Sequence, residues 1–368
     1  MTAMMYTLLI NDAPANPEIV AAIQRIEVEE STDLADMIRL QIGIGVNADG
    51  SDWTVLEDNP FTRFAKVKLL VSVGGNQAEP LIDARVIETS MTLSDKPHQS
   101  VLNVVAMDIT VEMNLRQYPQ SFSNQTDSSI AESIFRKYNL QAIVDETDIV
   151  HQEDEKIVVH HGTDAQLLRK MALRNGFECY VEVNPSTGIA EGHFHKPRLK
   201  TKPQGVLSVN LGEATNVNTF NVRYDMLRPS SAEATGLDIE SLTDQHAETD
   251  APKEEKLGTT STIGQDKPRE DWISQSGMSS TDELQALVQA SVDRSSWSIV
   301  AEGELNTIAF GRILRAKCPV KVRGIGKQLS GVFYVERVLH IISGEGYIQR
   351  FTLRRNAVGM ERGESFTE

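Results

Sequence analysis

Apolar and polar residues alternate with a period of two through most of the first 115 positions. Ile23-Gln24-Arg25-Ile26-Glu27-Val28-Glu29 and Met37-Ile38-Arg39-Leu40-Gln41-Ile42 each put apolar side chains on one face and charged ones on the other. That pattern predicts strands with one wet face. Residues 4–46 alternate in this way around a polar break at Pro14–Pro17, and Asn47–Asp52 is a turn cluster. Phe64–Val73, Leu81–Leu93 and Val101–Met113 predict further strands. Some six strands at this spacing suit a small barrel or sandwich over residues 1–117.

The period changes at Tyr118. Asp127 or Ser128 is placed to cap a helix carrying Ile130, Ala131, Ile134 and Tyr138 on one face and closed by Asn139. Thr163 with Gln166 forms a capping box for a second helix, which Asn175-Gly176 ends. The strands Phe177–Val183 and Ile189–His195 follow, joined by the turn Pro185-Ser186-Thr187-Gly188. Residues 118–205 are therefore expected to form an α+β insert. Strand character returns over 206–228, and it combines with 298–360 into a second β domain. Between them, 229–271 is rich in Ser, Thr, Asp and Glu, lacks Phe, Trp and Tyr, and shows no lasting period. Such composition predicts a linker or excursion loop that buries too little apolar surface to order itself, and that folds on docking to a neighbour. Ser280-Thr281-Asp282-Glu283 caps a third helix with Leu284, Leu287, Val288 and Val292 on one face, which completes a 229–297 excursion.

The C-terminal stretch carries the clearest strand pattern. Val320, Val322 and Ile325 precede a Gly326–Gly331 turn, Val332–Leu339 alternates, Ser343-Gly344-Glu345-Gly346 turns again, and Ile348, Phe351 and Leu353 return. The expected class is α+β, mainly β, with similar β domains at the two ends that suggest an internal duplication.

Composition narrows the function. The chain has 368 residues, 40% of them hydrophobic and 6% aromatic, so its cores are aliphatic. A net charge of −16 speaks against binding nucleic acid or an anionic membrane. Two distant cysteines, Cys179 and Cys318, match no metal spacing and are expected reduced and buried. The N-terminus lacks a basic start and a long apolar run, and no window approaches a membrane span, so synthesis and folding in the cytoplasm without stable membrane insertion are expected.

Catalytic and cofactor motifs are weak. Gly43-Ile44-Gly45-Val46-Asn47-Ala48 matches a dinucleotide string, but Asp49-Gly50 after it is turn chemistry rather than a helix start. Gly324-Ile325-Gly326-Lys327 lacks the first glycine and the hydroxyl of a phosphate loop. His160-His161 and His193-x-His195, with His151, are candidate ligands on strands, but no Cys or His–Glu motif accompanies them. Asp108, Glu112 and Asp225 lie beside apolar strands without a nucleophile elbow or a metal helix. The expectation is a protein that is not an enzyme, with no cofactor and no metal. The runner-up is a tail-associated cell-wall hydrolase with a histidine metal site, and a third alternative is an effector or cargo adaptor working through the acidic excursion.

The run Thr163-Asp164-Ala165-Gln166-Leu167-Leu168-Arg169-Lys170-Met171-Ala172 with Gly176-Phe177 resembles a helix-plus-strand signature of the phage late control protein D family and of VgrG-type hubs. Val222-Arg223-Tyr224-Asp225 resembles that family's strand opening a second barrel. The glycines Gly324, Gly326 and Gly331, then Tyr334, His340, Gly346-Tyr347 and Phe351 through Arg354-Arg355-Asn356-Ala357, resemble its C-terminal strands. The resemblance implies two tube-like antiparallel β-barrels with an α+β insert between them. It implies a homotrimeric baseplate hub of a contractile phage tail or injection particle, joining a hexameric inner tube protein to a trimeric spike protein. Baseplate wedge or LysM-type adaptor proteins are further expected partners. Because the chain stops soon after Asn356, the spike is expected to be a separate protein. Arg223, Tyr224, Gly324, Gly326, Gly331, Tyr334, His340, Arg354, Arg355 and Asn356 are expected at subunit or partner interfaces.

Overall fold

The computed structural model describes residues 4–33, 35–46, 53–55, 59–96, 99–151, 158–237, 243–263, 269–274 and 281–360. A 13-stranded sheet runs through it. The first half contributes Met5–Ile10, Ile23–Ser31, Met37–Gly43, Lys66–Ser72, Glu79–Thr92 and Val101–Met107, with the short Ala13–Pro14 at its margin. The second half contributes Val206–Ser208, Val217–Tyr224, Ile299–Asn306, Pro319–Arg323, Gly331–Ser343 and Gly346–Arg355. Alternation drives both: Val67, Leu69 and Val71 point inward from one strand, Val320 and Val322 from another.

Counted along the chain within each half, the second strand stands at one end, followed by the third, sixth, fifth, fourth and first. Two irregularities also repeat. The second strand carries an extra residue opposite the third, Gln24 in one half and Asn218 in the other. The fifth carries an extra residue opposite the sixth, Ile87 and Glu336. A bulge of this kind bends the strand and shifts its inward-facing set by one residue. The first strands differ, since Met5–Ile10 runs antiparallel to its neighbour and Val206–Ser208 runs parallel.

The halves join edge to edge. The second strand of the first half, Ile23–Ser31, pairs antiparallel with the fifth strand of the second, from Arg337 opposite Ser31 to Ser343 opposite Arg25. Gly331–Ser343 changes neighbour at its bulge: its start lies against Pro319–Val322, and from Arg337 onward it lies against the first half. Ile313, Ile342 and Tyr347 of the second half enter the core of the first.

Gln141–Val144, Ala190–His195 and Glu178–Val183 form a separate small sheet. Helices Asp127–Lys137 and Asp164–Asn175 pack on it through Ile130, Ile134, Phe135, Leu167, Leu168 and Met171. The Thr163–Gln166 capping box is present, and Gly176 closes the helix in the left-handed region at φ 66°. The first helix is capped by Thr126, whose hydroxyl accepts from Ser129 N–H, rather than by Asp127 or Ser128. Asp127 is instead drawn inward to Arg174 and His151.

Two expectations are corrected. The strand predicted over Val101–Met113 ends at Met107, because the Asp108 carboxylate accepts from Thr110 N–H at 2.8 Å and opens the short helix Thr110–Met113. The segment 229–271 is not a structureless excursion awaiting a partner. Ser230–Leu237 pairs antiparallel with Asp244–Thr249 and parallel with Arg269–Ser274. Helix Thr281–Ser295 covers this sheet, burying Leu284, Val288 and Val292 against Ala232, Ala234, Ala247 and Ile263. Alanine fills the sheet's share of the core, and the apolar bulk comes from a helix farther along the chain. The proposed cap at Ser280 and the whole Asn47–Asp52 turn lie outside the described residues.

Candidate assembly edges and the buried polar seam

Five residues expected at partner interfaces are buried within the chain: Gly331, Tyr334, His340, Arg355 and Asn356. Arg355 is fully enclosed. Its guanidinium donates to the carbonyls of Leu257 (2.8 Å), Leu329 (2.8 Å), Ser330 (3.1 Å) and Gly359 (2.6 Å). Gly331, at φ 139°, makes room for it, since a Cβ there would stand 2.7 Å from Arg355 Nη2. Asn356 accepts from Leu257 N–H and donates to Glu255 O. Tyr334 donates to Glu178 Oε2 at 2.6 Å, and His340 meets the Tyr347 hydroxyl at 2.7 Å. The Arg-Asn pair that reads as an external patch is thus a clamp on the chain's own loops. Gly324 and Gly326 shape a turn at φ 89° and 88°, and Val209 O leaves no space for a side chain at Gly324. Arg354 reaches the bulge residue Glu336 at 2.5 Å. Arg223 is exposed and Tyr224 half-buried, on the strand that ends the large sheet.

A buried polar network, not foreseen, joins the halves. Lys317, with φ 64° and almost no exposure, holds Asp36 at 2.8 and 3.1 Å. Asp36 also accepts from Ser31 N–H, and its own N–H donates to Asp108. Arg315 pairs with Glu30 at 2.9 Å, and Glu30 accepts from Ala316 N–H. Burial works against the Lys317 ammonium, yet Asp36, Glu182 and Glu30 hold its pKa above the ordinary value. Burial alone would raise Glu30, but Arg315 and His340 outweigh it and hold it at about 2. Glu178 is the reverse case. Burial pushes it up to about 8 despite the Tyr334 hydrogen bond. The signal in the sequence is a pair of cations, Arg315 and Lys317, in the otherwise apolar run Ile313–Val320.

The candidate histidine site does not assemble as expected. His151 sits with Asp127 and Glu283, while His193 and His195 lie on a different sheet. His161 is exposed, on the strand Val158–Gly162. His195 Nδ1 meets Lys196 O at 2.7 Å, His195 Nε2 meets His193 Nδ1 at 3.1 Å, and His193 stacks on Tyr180. His193 Nε2 faces Glu191 and Glu182 at 3.4 and 3.5 Å, a convergence that pairing across Glu178–Val183 and Ala190–His195 creates. Lys317 and Arg315 act on Glu182 and supply countercharge there. Of the carboxylates singled out, Asp108 belongs to the polar network, Glu112 pairs with Arg85, and Asp225 accepts from Leu227 N–H. Cys179 and Cys318 are free thiols, and burial raises both.

Among the open sheet margins, two belong to corresponding places in the large sheet. Val217–Tyr224 is paired only on its Ile299–Asn306 side. The last part of Glu79–Thr92, beyond its bulge, is paired only with Val101–Met107. Residues Ile87–Thr92 are exposed, with Met91 at 52% and the adjoining Leu93 at 54%. An open edge with exposed apolar side chains is a template for another strand.

Solved phage tail proteins share this fold. A tail protein from Neisseria meningitidis superposes with a TM-score of 0.67 at 12% identity, over 96% of this chain and 97% of that one. A 43 kDa prophage tail protein from Shewanella oneidensis gives 0.65 at 16% identity, over 97% and 100%. An Escherichia coli component of the type VI secretion system, described as structurally similar to bacteriophage tail proteins, gives 0.56 at 10% identity, over 95% and 76%. At these identities the likeness is one of fold. By sequence, the chain belongs to the Alg8 N-terminal domain family, whose model matches residues 3–344. No curated protein matches it.

Proposed function

We propose that this chain is a structural subunit of a phage-tail or injection-system baseplate, without enzymatic activity, and that three copies form a hub joining the inner tube to the spike. The observation that carries this is the repetition of one strand order and two bulge positions in both halves of the chain. Three copies of such a chain present six equivalent sheets, so a threefold ring offers a sixfold tube six similar docking faces. The tail-protein fold of the structural neighbours supports the same reading. Particle location, in a tail or a tail-like injection machine, follows from it. Light scattering on the purified protein, alone and with the cognate tube and spike proteins, tests it. The expected mass is three times 40.8 kDa, or a three-to-three complex with spike. A monomer that ignores both partners overturns it.

A further inference from the structure

The seam inside the chain specifies the contact between chains. Matching the bulges aligns the halves residue by residue. Ile87 corresponds to Glu336, so Glu88 corresponds to Arg337 and Thr92 to Ile341. Gln24 corresponds to Asn218, so Arg25 corresponds to Thr219, Glu27 to Asn221 and Glu29 to Arg223. Inside the chain the fifth strand of the second half lies on the second strand of the first, with Leu339 opposite Glu29 and Ile341 opposite Glu27. The two strands that would repeat this seam, Glu88–Thr92 and Val217–Tyr224, are both open margins.

We propose that Glu88–Thr92 of one copy adds antiparallel to Val217–Tyr224 of a second copy, in the register of the internal seam, with Ser90 opposite Arg223, Met91 opposite Val222 and Thr92 opposite Asn221. Charge complementarity supports this register. In the internal seam Arg337 of the fifth strand reaches Glu29 of the second at 2.8 Å. At the corresponding positions the signs are exchanged, with Glu88 on the fifth strand and Arg223 on the second, both exposed. The Glu88–Arg223 pair is therefore attractive again, and it works against the repulsion of exposed Asp225, which this register sets directly opposite Glu88. The contact also covers Met91, and continuing the register by one residue places exposed Leu93 opposite half-buried Phe220. Addition is head to tail, since each copy offers one margin of each kind, and such contacts close into rings. The inference rests on the trimeric hub reading and gives its interface.

The test is a chain carrying Thr92→Cys and Asn221→Cys, both at exposed positions, oxidised mildly and run under denaturing conditions. Directly opposed residues across antiparallel strands lie near disulfide distance. Linked dimers and a closed species of three copies, absent from each single variant and from Thr92→Cys with Val222→Cys, are expected. Arg223→Glu, which leaves Glu88 facing two carboxylates, should weaken assembly at least roughly tenfold, and adding Glu88→Arg should restore most of it. A trimer in which Thr92→Cys/Asn221→Cys does not link and charge reversal changes nothing overturns the register while leaving the hub reading intact. A monomer that neither links nor assembles with tube and spike overturns both.

Discussion

A single side chain can hold more of this fold than its surroundings suggest. Arg355 satisfies carbonyls from three separate loops in an enclosed site. Arg355→Ala should cost about 3 kcal/mol or more, because buried acceptors left unpaired cost about 1–3 kcal/mol each. Denaturant titration reads this, and a loss under 1 kcal/mol would show the clamp to be incidental. Gly331→Ala should act in the same direction, by pushing on the guanidinium. The buried carboxyls set opposing pH dependences. Glu178 has a folded pKa raised to about 8 from an ordinary 4.5, so the folded state binds the extra proton between those values. Its contribution is present below about 4.5 and is lost as pH rises toward 8. Asp127, which burial would raise but His151 and Arg174 hold near 2, contributes above its ordinary 3.8 and loses that contribution as pH falls toward 2. Unfolding free energy measured from pH 5 to 8 should decline, and Glu178→Gln should flatten the decline. An unchanged slope in the variant would remove Glu178 as its source. None of these roles was legible in sequence. Arg355 and Tyr334 stood out by position, but burial depends on loops from elsewhere in the chain.

At the level of elements, alternation located five of the six principal strands of the first half and the C-terminal hairpin, because each has one face in a core and one in water. One element and one irregularity escaped it. Ser230–Leu237 packs through alanines, whose weak apolar signal hides its period. Gly331–Ser343 loses its period in the middle, where Glu336 is inserted and Phe333 and Val335 give way to Val338 as inward residues. Strand order within a sheet is set by pairing between distant segments, so the duplication was visible only as a texture. The bulge gives a prediction at this scale. Deleting Glu336, the extra residue, leaves Arg337 opposite Thr352 and Val338 in its core, so that variant should stay folded, whereas deleting Leu339 turns the residues after it to the opposite face and should leave the protein insoluble or unfold it with a loss of over about 4 kcal/mol. Deleting Glu345 in the exposed turn, by comparison, should change the melting temperature by only a few degrees. Equal effects from deleting Glu336 and deleting Leu339 would deny Glu336 its place as the extra residue.

For the molecule as a whole, the exchanged charges have a consequence for how copies can be counted off around a ring. Strands of the two halves have nearly the same shape, and while chains meet before every strand has settled, a first-half margin could land on another chain's first-half partner strand. That mistake sets Glu88 against Glu29, and the converse mistake sets Arg337 against Arg223. Like charges facing each other across strands are repelled, and each wrong phase is disfavoured. Only strict alternation, first half then second half, pairs Glu88 with Arg223 and Arg337 with Glu29 at successive junctions. Shape repeats six times around such a ring, but charge repeats three times, so the ring keeps its place by a polarity that its outline does not show.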